Sequence, residues 1–224
     1  MRQSRAALIL LILSIFHINA QEESKEKDYI EFNDRKNIVH GVYLGINTSY
    51  GEIDGKDTGI FGLKVAYVAN RQFEVGFSMK GFYSQQNLRG TFISNNEDLA
   101  GGYGGIHLEP IFFSKSRLNL SFPLLVGAGA TGYVDGDFDN DDEFNEDEYE
   151  WDAIFVVEPG VSLLFNISRY VQLETGVKYR FSSKFDLVPN GVDRINGFSA
   201  GLGIKVGVFN LGRNRYKKNI PNNE

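Results

Sequence analysis

Val171-Gln172-Leu173-Glu174-Thr175-Gly176-Val177-Lys178-Tyr179-Arg180-Phe181 alternates along its length: Val171, Leu173, Val177, Tyr179 and Phe181 fall on one side, Gln172, Glu174, Gly176, Lys178 and Arg180 on the other. A period of two is that of a β-strand, whose successive side chains point to opposite faces. A slip of one residue would exchange the two faces, so the register of such a strand is strongly specified. Confining every charge to one face means that the two sides meet different surroundings.

The same pattern runs outward from this stretch through seven other segments between Gly41 and Phe209. Val42, Leu44, Ile46 and Tyr50 oppose Tyr43, Gly45, Asn47 and Ser49, and Phe61, Leu63, Val65 and Tyr67 oppose Gly62, Lys64 and Ala66. Phe73, Val75, Phe77 and Met79 oppose Glu74, Gly76, Ser78 and Lys80; Ile106, Leu108 and Phe112 oppose Gly105, His107 and Glu109. The fifth segment sets Leu118 to Ala130 in even steps against Asn119, Ser121, Gly127 and Gly129; the sixth sets Ala153, Phe155, Val157 and Val161 against Asp152, Glu158 and Ser162. The last sets Phe198, Leu202, Ile204, Val206 and Val208 against Ser199, Gly201, Gly203 and Lys205. Each segment has the roughly 9–11 residues that cross a bilayer as a tilted strand.

Alternation alone also suits a soluble β-sandwich, with the apolar face turned inward. The connections discriminate: those at Ala69–Gln72, Ser114–Arg117 and Asn166–Arg169 are short and the others longer, as in a membrane barrel with tight periplasmic turns and larger external loops. At the amino terminus Arg2 and Arg5 precede an apolar run from Ala6 to Phe16, which reads as a secretory signal (1–20) cleaved between Ala20 and Gln21. These signs together predict an all-β protein, an eight-stranded antiparallel up-and-down transmembrane β-barrel over 41–209, exported to a bacterial outer membrane. Residues 21–40 read as a periplasmic lead-in and 210–224 as a short basic tail. The prolines 110, 123 and 159 fall inside strands that lack a free edge, where bulges are expected.

The formal net charge of −6 becomes −8 once Arg2 and Arg5 are removed, a balance that argues against a nucleic-acid partner. The chain has no cysteine, which excludes disulfides, thiolate zinc sites and a lipid-bearing terminal cysteine. If the apolar face meets lipid, the other face lines the lumen with Lys64, Lys80, Lys178, Arg180 and Lys205 against Glu74, Glu109, Asp152, Glu158 and Glu174. An eight-stranded interior is just wide enough to be filled by side chains. The balanced charges are therefore expected to pair into a polar plug rather than line a pore, with His107 hydrogen-bonded to Glu109.

These segments resemble the OmpA/OmpX-like family of eight-stranded outer-membrane barrels, over Gly41 to Phe209. The most specific element is Ser199-x-Gly201-x-x-Ile204-x-Val206, which matches the terminal-strand signal read by the barrel-assembly machinery of such proteins; here fifteen residues follow Phe209. The resemblance implies outer-membrane lipid, lipopolysaccharide and that machinery as partners. Lipid A-modifying enzymes occur among small barrels, but His107 is followed by Leu108 and Glu109 and looks inward, and nothing in lumen or loops assembles a nucleophile with a base. The chain is read as no enzyme, with a small channel, a lipid A-modifying enzyme and a soluble periplasmic binding module as the alternatives.

The remaining feature is the loop from Val134 to Glu150, where Asp135, Asp137, Asp139, Asp141, Asp142 and Glu143 lead a run of ten carboxylates. Oxygen-rich loops suit Ca²⁺ or Mg²⁺, although Asn140 stands where an EF-hand needs glycine. No cofactor is expected beyond such a cation at this external loop.

Overall fold

The computed structural model describes residues 39–88, 97–114, 116–135, 151–187 and 191–211. They form β1 (His40–Ile53), β2 (Lys56–Ala69), β3 (Phe73–Leu88), β4 (Glu97–Phe112), β5 (Leu118–Ser121), β6 (Leu124–Asp135), β7 (Trp151–Asn166), β8 (Val171–Ser182) and β9 (Gly197–Leu211). All nine belong to one antiparallel sheet. Sequence neighbours pair in turn except β5 and β6, which both lie between β4 and β7, and β9 returns to β1, so every strand is paired on both sides and the ladder closes on itself.

The count is nine where alternation predicts eight, because the fifth segment is interrupted at Phe122-Pro123. Both pieces lie between β4 and β7, so β5 and β6 share one place in the ring. Proline has no N–H to give the ladder, and Pro110, Pro123 and Pro159 gather around this break. Phe122 N donates to Pro110 O at 3.1 Å and Gly160 N to Pro123 O at 2.8 Å. The expected bulges are absent there: the register is the same above and below the gap on both flanking strands. Register shifts occur instead between His40 and Val42 and between Ser84 and Leu88.

A second difference concerns the first hairpin. The long connection expected between the first two segments is the two-residue turn Asp54–Gly55, with φ of 51° and 71°. Asp-Gly is a strong signal for the type I′ turn, whose twist matches paired strands, and it lets β1 and β2 pair to Ile53↔Lys56. Asn70–Gln72, 113–117 and 167–170 make the three connections at the opposite end, which the chain enters at His40 and leaves at Leu211.

The faces are inverted relative to a water-soluble protein. Leu44 is 67% exposed while its neighbour Tyr43 is 1% exposed, and the same alternation runs through β1 and β2 and along much of β7 and β8. Leu44, Ile46, Phe61, Met79, Phe155 and Leu202 point out; Lys64, Glu74, Glu109, Arg180 and Lys205 are buried. A sandwich with its apolar face inward is thereby contradicted. The glycines on the inner face allow close approach of neighbouring strands, as at Gly105 and Gly127, where an added Cβ would meet the backbone of the facing strand.

Along the ring axis the interior has three zones. Tyr43, Ala66 and Val68 pack together at the turn end with Phe209, whose ring stacks on Tyr43 at 5.6 Å. The charged side chains fill the middle. At the loop end Ile53, Phe82, Leu99, Tyr133, Ile154 and Val156 pack with Phe185 and Ile195 from the β8–β9 connection.

Candidate functional site

Alternation brings one inward charge from each of several strands to the same height. Lys64 on β2 places Nζ 3.1 Å from Glu109 Oε2 on β4 and 3.0 Å from Glu174 Oε2 on β8. Lys205 on β9 lies 3.0 Å from Glu74 Oε2 on β3, 3.2 Å from Glu109 Oε2 and 3.5 Å from Glu174 Oε2. Lys178 reaches Glu174 Oε1 at 3.2 Å. His107 Nε2 lies 2.9 Å from Glu109 Oε2 and Ser121 Oγ donates to Glu109 Oε1 at 2.7 Å, so both oxygens of this fully buried carboxylate are occupied. Tyr43 completes the cluster by donating its hydroxyl to Glu74.

Nearer the loop end a smaller cluster joins Lys80 to Glu158, and Tyr103 donates to Glu158 Oε2 at 2.5 Å. Arg180 lies with its guanidinium 5.7 Å from the Phe82 ring centroid and 6.0 Å from that of Tyr103. Its Nε donates to the carbonyl of Ile195 at 2.6 Å. It thus ties the charged middle to the β8–β9 connection. Ser182 and Asn196 add to that tie: Ile195 N donates to Ser182 Oγ at 2.9 Å and Ser182 N to Asn196 Oδ1 at 2.7 Å.

A single charge left unpaired in such surroundings costs several kcal/mol, so the value of each lysine lies in its carboxylates and the reverse. Between the clusters, the polar cavity bounded by Asn47, Lys80, His107 and Lys178 measures about 10 Å³, about one water-sized probe. The arrangement fills space and cross-links strands distant in sequence.

Of the residues singled out from the sequence, Lys64, Glu74, Lys80, His107, Glu109, Glu158, Glu174, Lys178, Arg180 and Lys205 lie in this interior. Asp152 does not join them. It sits half-buried at the start of β7, accepting from Ala153 N at 2.8 Å and Asp186 N at 3.2 Å, because its strand begins there, above the charged zone. Tyr43 and Tyr103 were not anticipated as partners, although their odd positions place them on the polar face. The apolar packing at both ends was also missed, since it draws Phe185 and Ile195 from outside the alternating segments.

Glu74, His107 and Glu109 each bring a ligand atom within 4.8 Å of the others, a spacing open to a metal ion. Lys64 and Lys205 already neutralise and hydrogen-bond these carboxylates, so an ion there would have to displace an ammonium. This cluster is interior, unlike the cation site expected at the acidic loop. Asp137, Asp139, Asp141, Asp142 and Glu143 lie outside the described residues, and Asp135 ends β6; Ala20 and Gln21 are likewise outside. On β9, Ser199 and Gly201 face inward, and Ile204 and Val206 face out.

No protein-family model and no curated protein matches the sequence. Solved structures do. The chain is similar in structure to outer-membrane proteins. Ail, the attachment invasion locus protein of Yersinia pestis, solved with the heparin analogue sucrose octasulfate, is 19% identical over 76% of this chain and 99% of its own, with a TM-score of 0.45. Neisserial surface protein A is 14% identical over 75% and 96%, at 0.48. The outer membrane protein OprG from Pseudomonas aeruginosa is 15% identical over 76% and 94%, at 0.40.

Proposed function

We propose that this chain is an outer-membrane β-barrel protein with a structural or surface-interaction role. It is exported and crosses the bilayer with eight spans, β5 and β6 together forming the fifth. The observation that carries the reading is the inverted pair of faces. A continuous belt of Leu, Ile, Val, Phe and Met on the outside is unfavourable in water and favourable in hydrocarbon. A closed ladder leaves no unpaired backbone group for lipid to meet, the condition for crossing a membrane with strands.

The interior argues for a sealed barrel over a conducting one. Its lysines and glutamates are engaged with one another, Arg180 is held by the Ile195 carbonyl and between the Phe82 and Tyr103 rings, and apolar side chains pack at both ends. Outer-membrane lipid and lipopolysaccharide are the surroundings that the outer face fits, and the alternation of Ser199, Gly201, Ile204 and Val206 on the last strand suits recognition by the barrel-assembly machinery.

The test is extraction of the protein from outer membranes and electrophoresis with and without boiling. A closed membrane barrel is expected to stay folded in cold detergent and to migrate faster until heated. Recovery in the soluble periplasmic fraction without such a shift would overturn the reading.

A further inference from the structure

The three tight connections at the turn end each carry one arginine. Arg71 lies in Asn70–Gln72, Arg117 ends the β4–β5 connection, and Arg169 precedes β8. Arg117 and Arg169 are exposed and Arg71 is half-buried. Among the described residues of these three connections there is no Asp or Glu, and Glu74, beside the first of them, is buried in the interior against Lys205, whereas the loop end carries Glu52, Asp54, Asp57, Glu97 and Asp193. The turn end is a basic rim.

Large apolar groups stand beside these cations. Phe113 is the most exposed large hydrophobic residue among the described residues at 72%, and its φ of 58° is unusual for a bulky side chain. Ile167 and Tyr170 are also exposed and flank Arg169, whose guanidinium lies 5.9 Å from the Tyr170 ring. The turns are fixed to their neighbours: Ile111 N donates to Gln72 O at 2.7 Å, Asn166 N to Arg117 O at 2.9 Å, Asn166 Nδ2 to Ser116 O at 3.2 Å and Gly207 N to Tyr170 O at 2.9 Å. The rim is therefore held by the ladder rather than assembled on contact.

We infer that this rim binds anionic phospholipid headgroups of the adjoining leaflet, with Arg117 and Arg169 meeting phosphate oxygens while Phe113, Ile167 and Tyr170 enter the boundary with the acyl chains. The inference rests on the membrane reading above. Arginine offers several donors in a planar fork suited to phosphate, and aromatic side chains favour the headgroup level of a membrane. A soluble anionic glycan would satisfy the arginines but would leave the adjacent apolar side chains in water. Continuity of Phe112 and Phe73 at the strand ends with the outer apolar belt places the rim at the edge of that belt.

The experiment reconstitutes the full mature chain in vesicles of equal parts phosphatidylglycerol and phosphatidylcholine, extracts it gently, and weighs the retained lipid by native mass spectrometry. Phosphatidylglycerol is expected to be enriched, with the enrichment falling by about fivefold for each arginine replaced in Arg117→Gln and Arg169→Gln. The matching Lys substitutions keep much of it, and added salt weakens it in the unsubstituted protein, which provides a test even if the Gln variants fold poorly. Insertion without enrichment, or enrichment that the double Gln variant retains, overturns the inference while leaving the barrel intact. Binding of soluble anionic glycan fragments without phosphatidylglycerol enrichment overturns it in favour of a cell-wall contact. Failure to enter vesicles of any composition overturns the membrane reading itself, and the inference with it.

Discussion

Lys205 on the last strand and Glu74 on the third meet at 3.0 Å although 131 residues separate them, and each side chain is 1% exposed. Their contact spans the interior, because β1 and β2 lie between their strands in the ring. Lys205→Met leaves Glu74 without its ion pair and removes one of the two ammonium groups that serve Glu109. Breaking a buried pair this way costs about 3–5 kcal/mol. The expected result is a lowered thermal midpoint, followed by sheet circular dichroism in detergent. Adding Glu74→Gln to Lys205→Met should cost less than the sum of the single changes, as a double-mutant cycle would reveal.

Arg180 holds the β8–β9 connection through the Ile195 carbonyl. In Arg180→Met the methylene packing is kept and the hydrogen bond from the cation is lost. Such bonds are worth about 1.5–3 kcal/mol. Hydrogen exchange is expected to speed up by about one to two orders of magnitude at the amides of Phe185 and Ile195, which donate to Asp193 O and Ser182 Oγ. Exchange unchanged from the parent would mean that apolar packing alone fastens this connection.

The Asp54–Gly55 turn is the only connection at the loop end tight enough to fix register by itself among the described residues. Gly55 has φ of 71°, a conformation that costs other residues about 1–2 kcal/mol. Gly55→Ala is predicted to lower stability by that amount in urea unfolding from detergent. Gly59→Ala serves as the comparison, since an added Cβ there meets nothing within 4 Å, and it should leave the midpoint unaltered.

Ile46 is 56% exposed near the middle of β1. On a lipid-facing surface Ile46→Lys costs about 2–4 kcal/mol at the midplane, and insertion into preformed vesicles should fall sharply while expression is unchanged. Insertion at the parental level would sink the placement of this face in hydrocarbon.

The alternation of eight segments, and with it which side of each strand carries charge, was legible without coordinates because a strand's pleat is a local property of its backbone. So were the places of Lys64, Glu109 and Lys205 on one common face. Local chemistry misled at two positions. Asp54-Gly55 is a turn signal in plain view that a search for longer loops passes over, and Pro123 interrupts a strand without shifting its register, since the pairing on either side is held by β4 and β7.

The tertiary structure alone decided which charges meet. Glu109 with Lys64 and Lys205, or Arg180 with Ile195, depends on how far each strand is staggered against the next around the ring, and no single strand encodes that stagger. It also decided that apolar groups pack at both ends of the interior, and at the loop end Phe185 and Ile195 reach it from a connection whose own sequence has no period to read. Sequence set the two faces of every strand; closure of the ladder set what each inward side chain faces across the interior, where side chains more than a hundred positions apart come within hydrogen-bonding distance.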